Sequence, residues 1–349
     1  MKKIICVVGA RPQFIKHAPL EIALQKYFNV ITIHTGQHYD EKMSSIFFDE
    51  LKINKPKYIL NVGSGKHGYQ TGMMMKEIEE ILVSENPDGV LVYGDTNSTL
   101  AGALTAAKLN IKVIHIEAGL RSFNKNMPEE INRILTDHIS FLLFSPTKNA
   151  IDNLSNEGIK NNVFFCGDIM IDTLFLAKRF LNNNNNSKVA DTYILLTIHR
   201  PYNTDDISRL TEILQQLNSI GKKIIFPTHF RTKNILSTHN EDVNKYKNIE
   251  FIEPLSYFNM IEMMMGAESV ITDSGGIQKE AYALKKKCIT IRSETEWTET
   301  LENGWNTLVY NDLSQLKEIP LKSPGEYKNN LYGDGNSSGE ISEIISKYL

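Results

Sequence analysis

Short apolar runs, many rich in β-branched residues, alternate with longer helical patterns along this 349-residue chain, and this alternation restricts its fold. Runs such as IICVV, GVLVY and ILLT are only four or five residues long and are apolar throughout apart from one glycine and one threonine. Strands of this kind are typical of a parallel sheet that is covered by helices on both faces. A helical pattern follows nearly every run, which is the order that builds an open parallel sheet.

The alternation occurs twice, and the second series begins near residue 193, after five asparagines at residues 182–186. Such a polar run cannot contribute to a core, so it lies between the two halves or just inside the second. We predict an α/β fold of two Rossmann-like, doubly wound parallel-sheet domains facing a cleft, with binding sites beyond the carboxyl ends of the strands. Residues 1–167 form the first domain, 168–336 the second, and 337–349 a helix that packs back on the first.

Composition excludes several classes of protein. With 38 basic and 41 acidic residues, the chain is not expected to bind nucleic acid as an obligate partner. Cys6, Cys166 and Cys288 lie far apart in apolar runs, as buried reduced thiols of a cytoplasmic protein do. No secretory signal opens the chain and no apolar run is long enough for a membrane span. Because metal-binding, dinucleotide-binding and P-loop motifs are absent, we predict neither a metal nor a cofactor.

Acidic residues follow two predicted strands and open a predicted helix. Asp95 lies in VYGDTNST, Glu117 in HIEAGLRS, and Glu129 with a second glutamate in MPEEINR. A carboxylate after an apolar strand is costly unless it is paired or functional. Nearby carboxylates raise the pKa of one another, which prepares them for general acid–base chemistry. The alternative is that Arg121 or Arg133 simply neutralises them.

Cationic side chains follow strands at three other places. Arg11 and Lys16 lie at the start of the first helix, where free N–H groups attract anions. His199 and Arg200 end the first strand of the second half and suit a diphosphate, and His199 also suits proton exchange. His229 repeats the theme in PTHFRT. The alternatives are a plain strand–helix turn with solvated cations and a surface histidine.

A glycine pair opens one helix of the second half. In Asp273-Ser274-Gly275-Gly276 the two glycines let the backbone approach a ligand closely, and the serine or the aspartate can cap the helix. Glu280, about a turn and a half further on, is placed to accept hydrogen bonds from a sugar diol. The tract therefore predicts an anion site, and the alternative is a capped helix packed tightly on its sheet.

Nine tracts occur in an order typical of one enzyme family, namely GARPQFIKHAPL, TGQHYD, VYGDTNSTLAG, HIEAGLRS, PEEINR, TIHR, DSGGIQKEA, TEWTE and YGDG. On these tracts the chain resembles the non-hydrolysing UDP-N-acetylglucosamine 2-epimerases over nearly its whole length. The resemblance implies a fold like that of GT-B glycosyltransferases, with two Rossmann-like domains that close on a UDP-sugar. It also implies a cytoplasmic homodimer that makes precursors of surface polysaccharides.

The reaction implied by the resemblance interconverts UDP-GlcNAc and UDP-ManNAc without a cofactor. The proton at C2 is removed, UDP leaves from C1, the bound glycal is reprotonated on its other face, and UDP adds back. Three alternatives stay open: a hydrolysing epimerase that releases ManNAc and UDP, a GT-B glycosyltransferase, and a UDP-sugar sensor without turnover.

The same resemblance implies the residues of the site. The catalytic residues are Asp95, Glu117, Glu129 and His199. The UDP-sugar contacts are Arg11, Lys16, Arg133, Arg200, His229, Phe258, Ser274, Gly275, Gly276 and Glu280. Gln37 and His38 match the region where bacterial members bind a second UDP-sugar as an activator.

Three tracts depart from the usual pattern of the family. Tyr202 stands in place of the glutamate of HRxEN, Phe230 in place of the proline of HPRT, and Trp297 at the centre of TEWTE where TERPE is common. The TEW variant resembles the branch that acts on UDP-2,3-diacetamido-2,3-dideoxy-glucuronic acid. We therefore keep 2-epimerisation of that sugar as an alternative.

Overall fold

A computed structural model describes residues 1–36, 54–63, 65–183, 192–319, 322–329 and 331–349. Within these ranges every pair of neighbouring strands is parallel. The strands are β1 (Lys3–Val8), β2 (Asn29–His34), β3 (Tyr58–Ile59), β4 (Gly89–Tyr93), β5 (Lys112–Ile116), β6 (Leu142–Ser145), β7 (Val163–Phe165), β8 (Ile194–Thr197), β9 (Ile224–Pro227), β10 (Ile249–Ile252), β11 (Ser269–Thr272), β12 (Lys287–Thr290) and β13 (Asn306–Leu308).

Both sheets have the strand order of a Rossmann-like domain. The first runs β3-β2-β1-β4-β5-β6-β7, and the second runs β10-β9-β8-β11-β12-β13. In each sheet the winding reverses at one point, between β1 and β4 and between β8 and β11. Ligands of such sheets bind beyond the carboxyl ends of the strands at this switch point. The predicted fold class of two Rossmann-like parallel-sheet domains is confirmed.

Helices connect the strands, as parallel pairing requires. The α-helices are Arg11–Leu24, His67–Glu85, Asn97–Lys108, Pro128–Ile139, Lys148–Asn156, Ile169–Asn183, Pro201–Thr204, Ile207–Asn218, Phe230–Thr238, Tyr257–Gly266, Gly275–Ala283 and Ser337–Tyr348. Short 3₁₀ helices cover Val243–Lys245, Thr298–Gly304 and Leu313–Lys317. Among the residues that the structure describes, no helix combines the length and the apolar character needed to cross a membrane.

The apolar runs of the sequence locate the central strands because those strands are buried on both faces. In the first unit Ile5 and Val92 are fully buried, and in the second Leu196 and Ile271 are. Strand β3 has two residues, which is too short to show a pattern. The helix Lys148–Asn156, which the sequence did not predict, buries only Ala150 and Leu154 and so has a weak apolar stripe. The three cysteines are buried free thiols, as expected.

The described chain forms two compact units. The first unit consists of Met1–Phe175 together with Leu331–Leu349, and the second consists of Leu176–Asn330. In the first unit the C-terminal helix packs against the helix Arg11–Leu24, and Lys112 Nζ donates a hydrogen bond to the Tyr348 carbonyl at 2.8 Å. The predicted limits at residues 167 and 336 lie inside the first unit rather than at its edges. As limits of independently folding domains they stay predictions.

Candidate active site

The turn after β4 carries Asp95 to the carboxyl end of the first sheet, at its switch point. Arg133 Nη2 donates a hydrogen bond to the Asp95 carboxylate at 2.5 Å, and the Asp95 side chain remains 31% exposed. Asn132 Nδ2 donates to the Asp95 carbonyl oxygen at 2.9 Å. The helix Pro128–Ile139 thus holds both the backbone and the side chain of this acid, which stays accessible to a ligand.

Glu117 follows the adjacent strand β5 and has a strained backbone, with φ of +72°. This left-handed conformation is unfavourable for glutamate, and such strain clusters at functional sites. Lys16 Nζ lies 2.6 Å from the Glu117 carboxylate, and both side chains are largely buried. A Cβ atom at Gly94 would be 3.5 Å from Lys16 Nζ, so this ion pair borders the turn that carries Asp95.

The two adjacent glutamates of the helix Pro128–Ile139 have different environments. Glu130 is buried and accepts hydrogen bonds from Arg133, from the backbone of Ser122 and Phe123 and from the Ser122 hydroxyl. Burial raises the pKa of Glu130, but these N–H groups and the Arg133 charge outweigh it, so the pKa is lowered. Glu129 is partly exposed in the first turn and forms no ion pair with another described residue. Glu130 therefore stabilises the loop, and Glu129 remains the candidate for chemistry.

Of the two arginines expected to neutralise the acids, one does so. Arg133 bridges Asp95 and Glu130. Arg121 instead pairs with Asp137 and Glu157, each at 2.7 Å. Arg133 is thus the cation beside Asp95, and its contact with a UDP-sugar stays a prediction.

Gln13, which the sequence reading did not single out, joins the turns after β1 and β4. Its Oε1 accepts hydrogen bonds from the backbone N–H groups of Gly9 and Ala10 at 2.7 and 3.0 Å. Its Nε2 lies within 3.0 Å of the Tyr93 carbonyl oxygen and of the hydroxyls of Thr96 and Thr99. These two turns flank the switch point, so Gln13 fixes the geometry on which Asp95 depends.

The first unit therefore presents two carboxylates and two cations at one edge of its sheet. Asp95 lies beside Arg133, and Glu117 lies beside Lys16. Carboxylates in such positions can exchange protons with a bound ligand, while adjacent cations stabilise negative charge that develops on it. The arrangement suits removal of a weakly acidic proton from carbon.

In the second unit, a buried carboxylate organises the turn after β8. Asp273 is fully buried and accepts hydrogen bonds from the backbone N–H groups of His199 and Arg200, at 3.1 and 2.9 Å, and from Asn203 Nδ2 at 3.2 Å. His199 Nδ1 lies 3.4 Å from Asp273 Oδ1. The aspartate, which follows β11, thus orients His199 across the second switch point.

The helix Gly275–Ala283 begins without a side-chain cap. The sequence allowed Ser274 or Asp273 to cap it, but the Ser274 side chain makes no capping hydrogen bond and Asp273 bonds the turn after β8 instead. A Cβ atom at Gly275 would lie 2.5 Å from Glu296 Oε1, so only glycine allows this carboxylate so close to the helix start. Glu280 lies on the same helix and is 4% exposed.

His229, Phe258 and Arg200 are the other residues of the second unit that the resemblance assigns to UDP-sugar binding, and their surroundings differ from one another. The His229 ring lies 5.9 Å from the His199 ring, and its Nδ1 accepts the backbone N–H of Arg231 as a helix cap. Phe258 is buried, and its ring stacks on the ring of Phe180 with the centroids 5.3 Å apart. Phe180 therefore covers one face of the Phe258 ring. Arg200 is exposed.

Three predicted residues are not tested by side-chain geometry. Arg11 is the first residue of its helix, and its side chain lies outside what the structure describes. Gln37 and His38 lie outside the described residues altogether. The roles assigned to these three residues stay predictions.

Two of the family departures have defined surroundings in the second unit. Tyr202 packs edge-on against Tyr310, with ring centroids 6.0 Å apart. Trp297 is buried, and Lys279 Nζ lies 3.7 Å from the centroid of its ring, a cation–π contact in a desolvated setting. A change at either position therefore alters packing as well as chemistry.

Comparison with known proteins identifies the family of this chain. The family model described as UDP-N-acetylglucosamine 2-epimerase matches residues 21–346. The chain belongs to the UDP-N-acetylglucosamine 2-epimerase family. The sequence resemblance to this family is thereby confirmed.

Relatives and solved structures match over nearly the full length. A UDP-N-acetylglucosamine 2-epimerase homolog of Methanococcus maripaludis is 51% identical, over 98% of this chain and 99% of its own. The UDP-2,3-diacetamido-2,3-dideoxy-D-glucuronate 2-epimerase of Pseudomonas aeruginosa is 45% identical, over 99% of both chains. The crystal structure of Methanocaldococcus jannaschii UDP-GlcNAc 2-epimerase with UDP-GlcNAc and UDP superposes with a TM-score of 0.91 at 45% identity, covering 99% of this chain and 100% of that one.

Proposed function

We propose that this protein is a UDP-N-acetylglucosamine 2-epimerase that interconverts UDP-GlcNAc and UDP-ManNAc. The observation that carries the proposal is the placement of Asp95 and Glu117 on adjacent strand ends, each beside a buried cation. Membership of the epimerase family and the likeness to a structure solved with UDP-GlcNAc support it.

In the proposed reaction, a carboxylate of the first unit takes the proton from C2, and the C1–O bond to UDP breaks as the C1–C2 double bond forms. The glycal is then protonated at C2 from its other face, and UDP returns to C1. Atoms balance without a redox partner. Asp95, Glu117 and Glu129 are the proposed acids and bases, while His199 and the start of the helix Gly275–Ala283 bind the diphosphate.

The first prediction concerns the protein as it stands. In deuterated water, UDP-GlcNAc is expected to gain deuterium at C2 of both product and recovered substrate, because the C2 proton exchanges with solvent through the acids. Proton NMR of the sugar checks this. Absence of label in both sugars would remove the epimerase proposal. Free UDP accumulating one-for-one with ManNAc would instead identify the hydrolysing reaction, and turnover only with an acceptor sugar would identify a glycosyltransferase.

A second candidate is 2-epimerisation of UDP-2,3-diacetamido-2,3-dideoxy-glucuronic acid. It is favoured by Trp297 in the TEWTE tract and by the Pseudomonas aeruginosa relative of that name. The two candidates share their chemistry and differ in the groups at C3 and C6. The ratio of kcat/KM for the two nucleotide sugars decides between them.

The second prediction concerns the binding of UDP. Asp273→Asn is expected to weaken UDP binding about 10- to 100-fold. The Asp273 carboxylate accepts hydrogen bonds from the backbone N–H groups of His199 and Arg200 and from Asn203 Nδ2. An asparagine amide would place its own N–H group against one of these donors and so disturb the turn that holds His199. Titration calorimetry with UDP measures the effect. Asp206→Asn is the matched control, since the exposed Asp206 accepts a hydrogen bond from Ser208 N at 2.9 Å as a helix cap and an asparagine caps about as well, so UDP binding should not change. Equal UDP affinity in all three proteins would contradict the assigned role of Asp273.

Four finer statements belong to the same proposal. The unpaired cysteines support a cytoplasmic location. The family resemblance supports the other three: the protein is a homodimer, it supplies precursors of surface polysaccharides, and a second UDP-sugar binds near Gln37 and His38 as an activator. Light scattering tests the dimer. A sigmoidal dependence of rate on UDP-GlcNAc, lost in Gln37→Ala, tests the activator.

A further inference from the structure

His115 lies on β5, two residues before Glu117, and its imidazole is fully buried. Its Nε2 is 2.8 Å from the carbonyl oxygen of Gly94, and its Nδ1 is 2.7 Å from Asp137 Oδ1. Gly94 is the residue immediately before Asp95. The ring therefore connects the turn that carries one candidate acid with the helix that carries another, Glu129.

Asp137 also holds the turn after β5. Its Oδ2 accepts the backbone N–H of Gly119 at 3.1 Å and Arg121 Nη1 at 2.7 Å. Gly119 has φ of +84°, and a Cβ atom there would lie 2.3 Å from the Ala150 carbonyl oxygen. Because the backbone at Gly119 is enclosed in this way, its bond to Asp137 fixes the position of Glu117, two residues earlier.

The hydrogen bonds show which ring nitrogen must carry a hydrogen. A carbonyl oxygen only accepts hydrogen bonds, so the Nε2 that faces Gly94 carries a hydrogen. Burial raises the pKa of Asp137, but His115 and Arg121 outweigh it, so its pKa is lowered. His115 Nδ1 and the Asp137 carboxylate share a hydrogen bond of 2.7 Å between two buried side chains.

Arg121 joins the His115–Asp137 pair to a further carboxylate. It donates from Nε and Nη2 to the two carboxylate oxygens of Glu157, at 2.7 and 2.8 Å. His115, Asp137, Arg121 and Glu157 thus form one hydrogen-bonded chain of side chains. Such a network restrains its members, and the loss of His115 would remove the hydrogen bonds to both Gly94 and Asp137.

We propose that His115, bonded to Asp137, is a positioning residue that fixes the turns bearing Asp95 and Glu117 relative to each other. The contacts run from Gly94 through His115 and Asp137 to Gly119. Both side chains are buried and hold the backbone rather than a ligand. The inference rests on the proposed function, because the spacing of these turns matters for turnover only if the acids act on substrate.

The position of the ring hydrogen of His115 is tested directly in the full-length protein labelled with ¹⁵N in its histidine rings. His115 is expected to show a hydrogen on Nε2, with the signals assigned by their loss in His115→Gln. A bare, imine-type Nε2 would overturn the hydrogen bond assigned to the Gly94 carbonyl. This measurement does not depend on any activity, and it needs only the folded wild-type protein.

Positioning is tested by the kinetics of His115→Gln and Asp137→Asn. We expect kcat to fall about 10- to 100-fold per folded molecule, because a shift of about 1 Å in catalytic groups can cost 10²-fold. UDP affinity should change by less than about twofold. His239→Gln, which changes an exposed histidine of the second unit, is the control and should leave both quantities unchanged.

The outcomes separate the two proposals. An unchanged kcat in both variants, measured per folded molecule, would overturn positioning and leave a purely structural pair. Wild-type protein that gives no deuterium at C2 would overturn the proposed function, while the ring nitrogens would still report the His115–Asp137 pair. Should Asp137→Asn not fold, His115→Gln provides the same kinetic comparison.

Discussion

Asp95→Asn is expected to reduce kcat by about two to four orders of magnitude while UDP affinity is largely retained. An amide cannot exchange the C2 proton, and loss of a general acid or base typically costs this much. The amide oxygen still accepts from Arg133, so the local structure should persist. Steady-state kinetics with UDP-GlcNAc and calorimetry with UDP measure the two quantities.

Two further variants distinguish chemistry from disturbance of Arg133. Asp152→Asn makes the same change at an exposed position of the helix Lys148–Asn156 in the first unit, and it should change neither kcat nor UDP affinity. Glu130→Gln removes the other carboxylate bonded to Arg133, and it should lower stability more than turnover per folded molecule. If Glu130→Gln and Asp95→Asn lose the same kcat, the role assigned to Asp95 is wrong.

Glu117→Gln is the second change with a large expected effect. It should lower kcat by about two to four orders of magnitude, because it removes a carboxylate proposed for proton transfer. It should also lower the free energy of unfolding by about 1–3 kcal/mol, since Lys16 is largely buried and loses its charged partner. Kinetics and denaturant unfolding measure these two effects.

The ion pair itself is tested by a double-mutant cycle. Lys16→Met and Glu117→Gln are expected to be non-additive in unfolding free energy, because the two groups are 2.6 Å apart. The double variant should be more stable than the sum of the single losses predicts. If the two losses of unfolding free energy are strictly additive, the ion pair does not stabilise the fold. The strained backbone of Glu117 would then be explained by its catalytic role alone.

The sequence predicts the fold well because the central strands are buried on both faces and therefore read as continuous apolar runs. The residues after each run, among them Asp95 and His199, are then placed at the carboxyl edge of a sheet by the parallel topology alone. The two-residue strand Tyr58–Ile59 and the helix Lys148–Asn156 escape prediction, because elements with so few buried residues leave little pattern.

The residues that support the site could not be predicted from local patterns. Asp137 bonds His115 across 22 positions, and Asp273 bonds Arg200 across 73. Each is an ordinary acid in its own stretch of chain, and only the folded sheet gives it its partner. The strained φ of Glu117 carried no sequence signal either, since glutamate rarely adopts this conformation.

Gln13 has a consequence for how freely this chain can change during evolution. Its amide accepts two backbone N–H groups and lies against three acceptors at once. A glutamate of the same shape would set a negative charge against the Tyr93 carbonyl, and any shorter side chain would leave the N–H groups of Gly9 and Ala10 without their acceptor. Position 13 should therefore tolerate few substitutions, whereas the exposed Tyr202 can change at the cost of its ring contact with Tyr310. The turns that carry Asp95 should accordingly vary less over evolution than the exposed residues of the second unit.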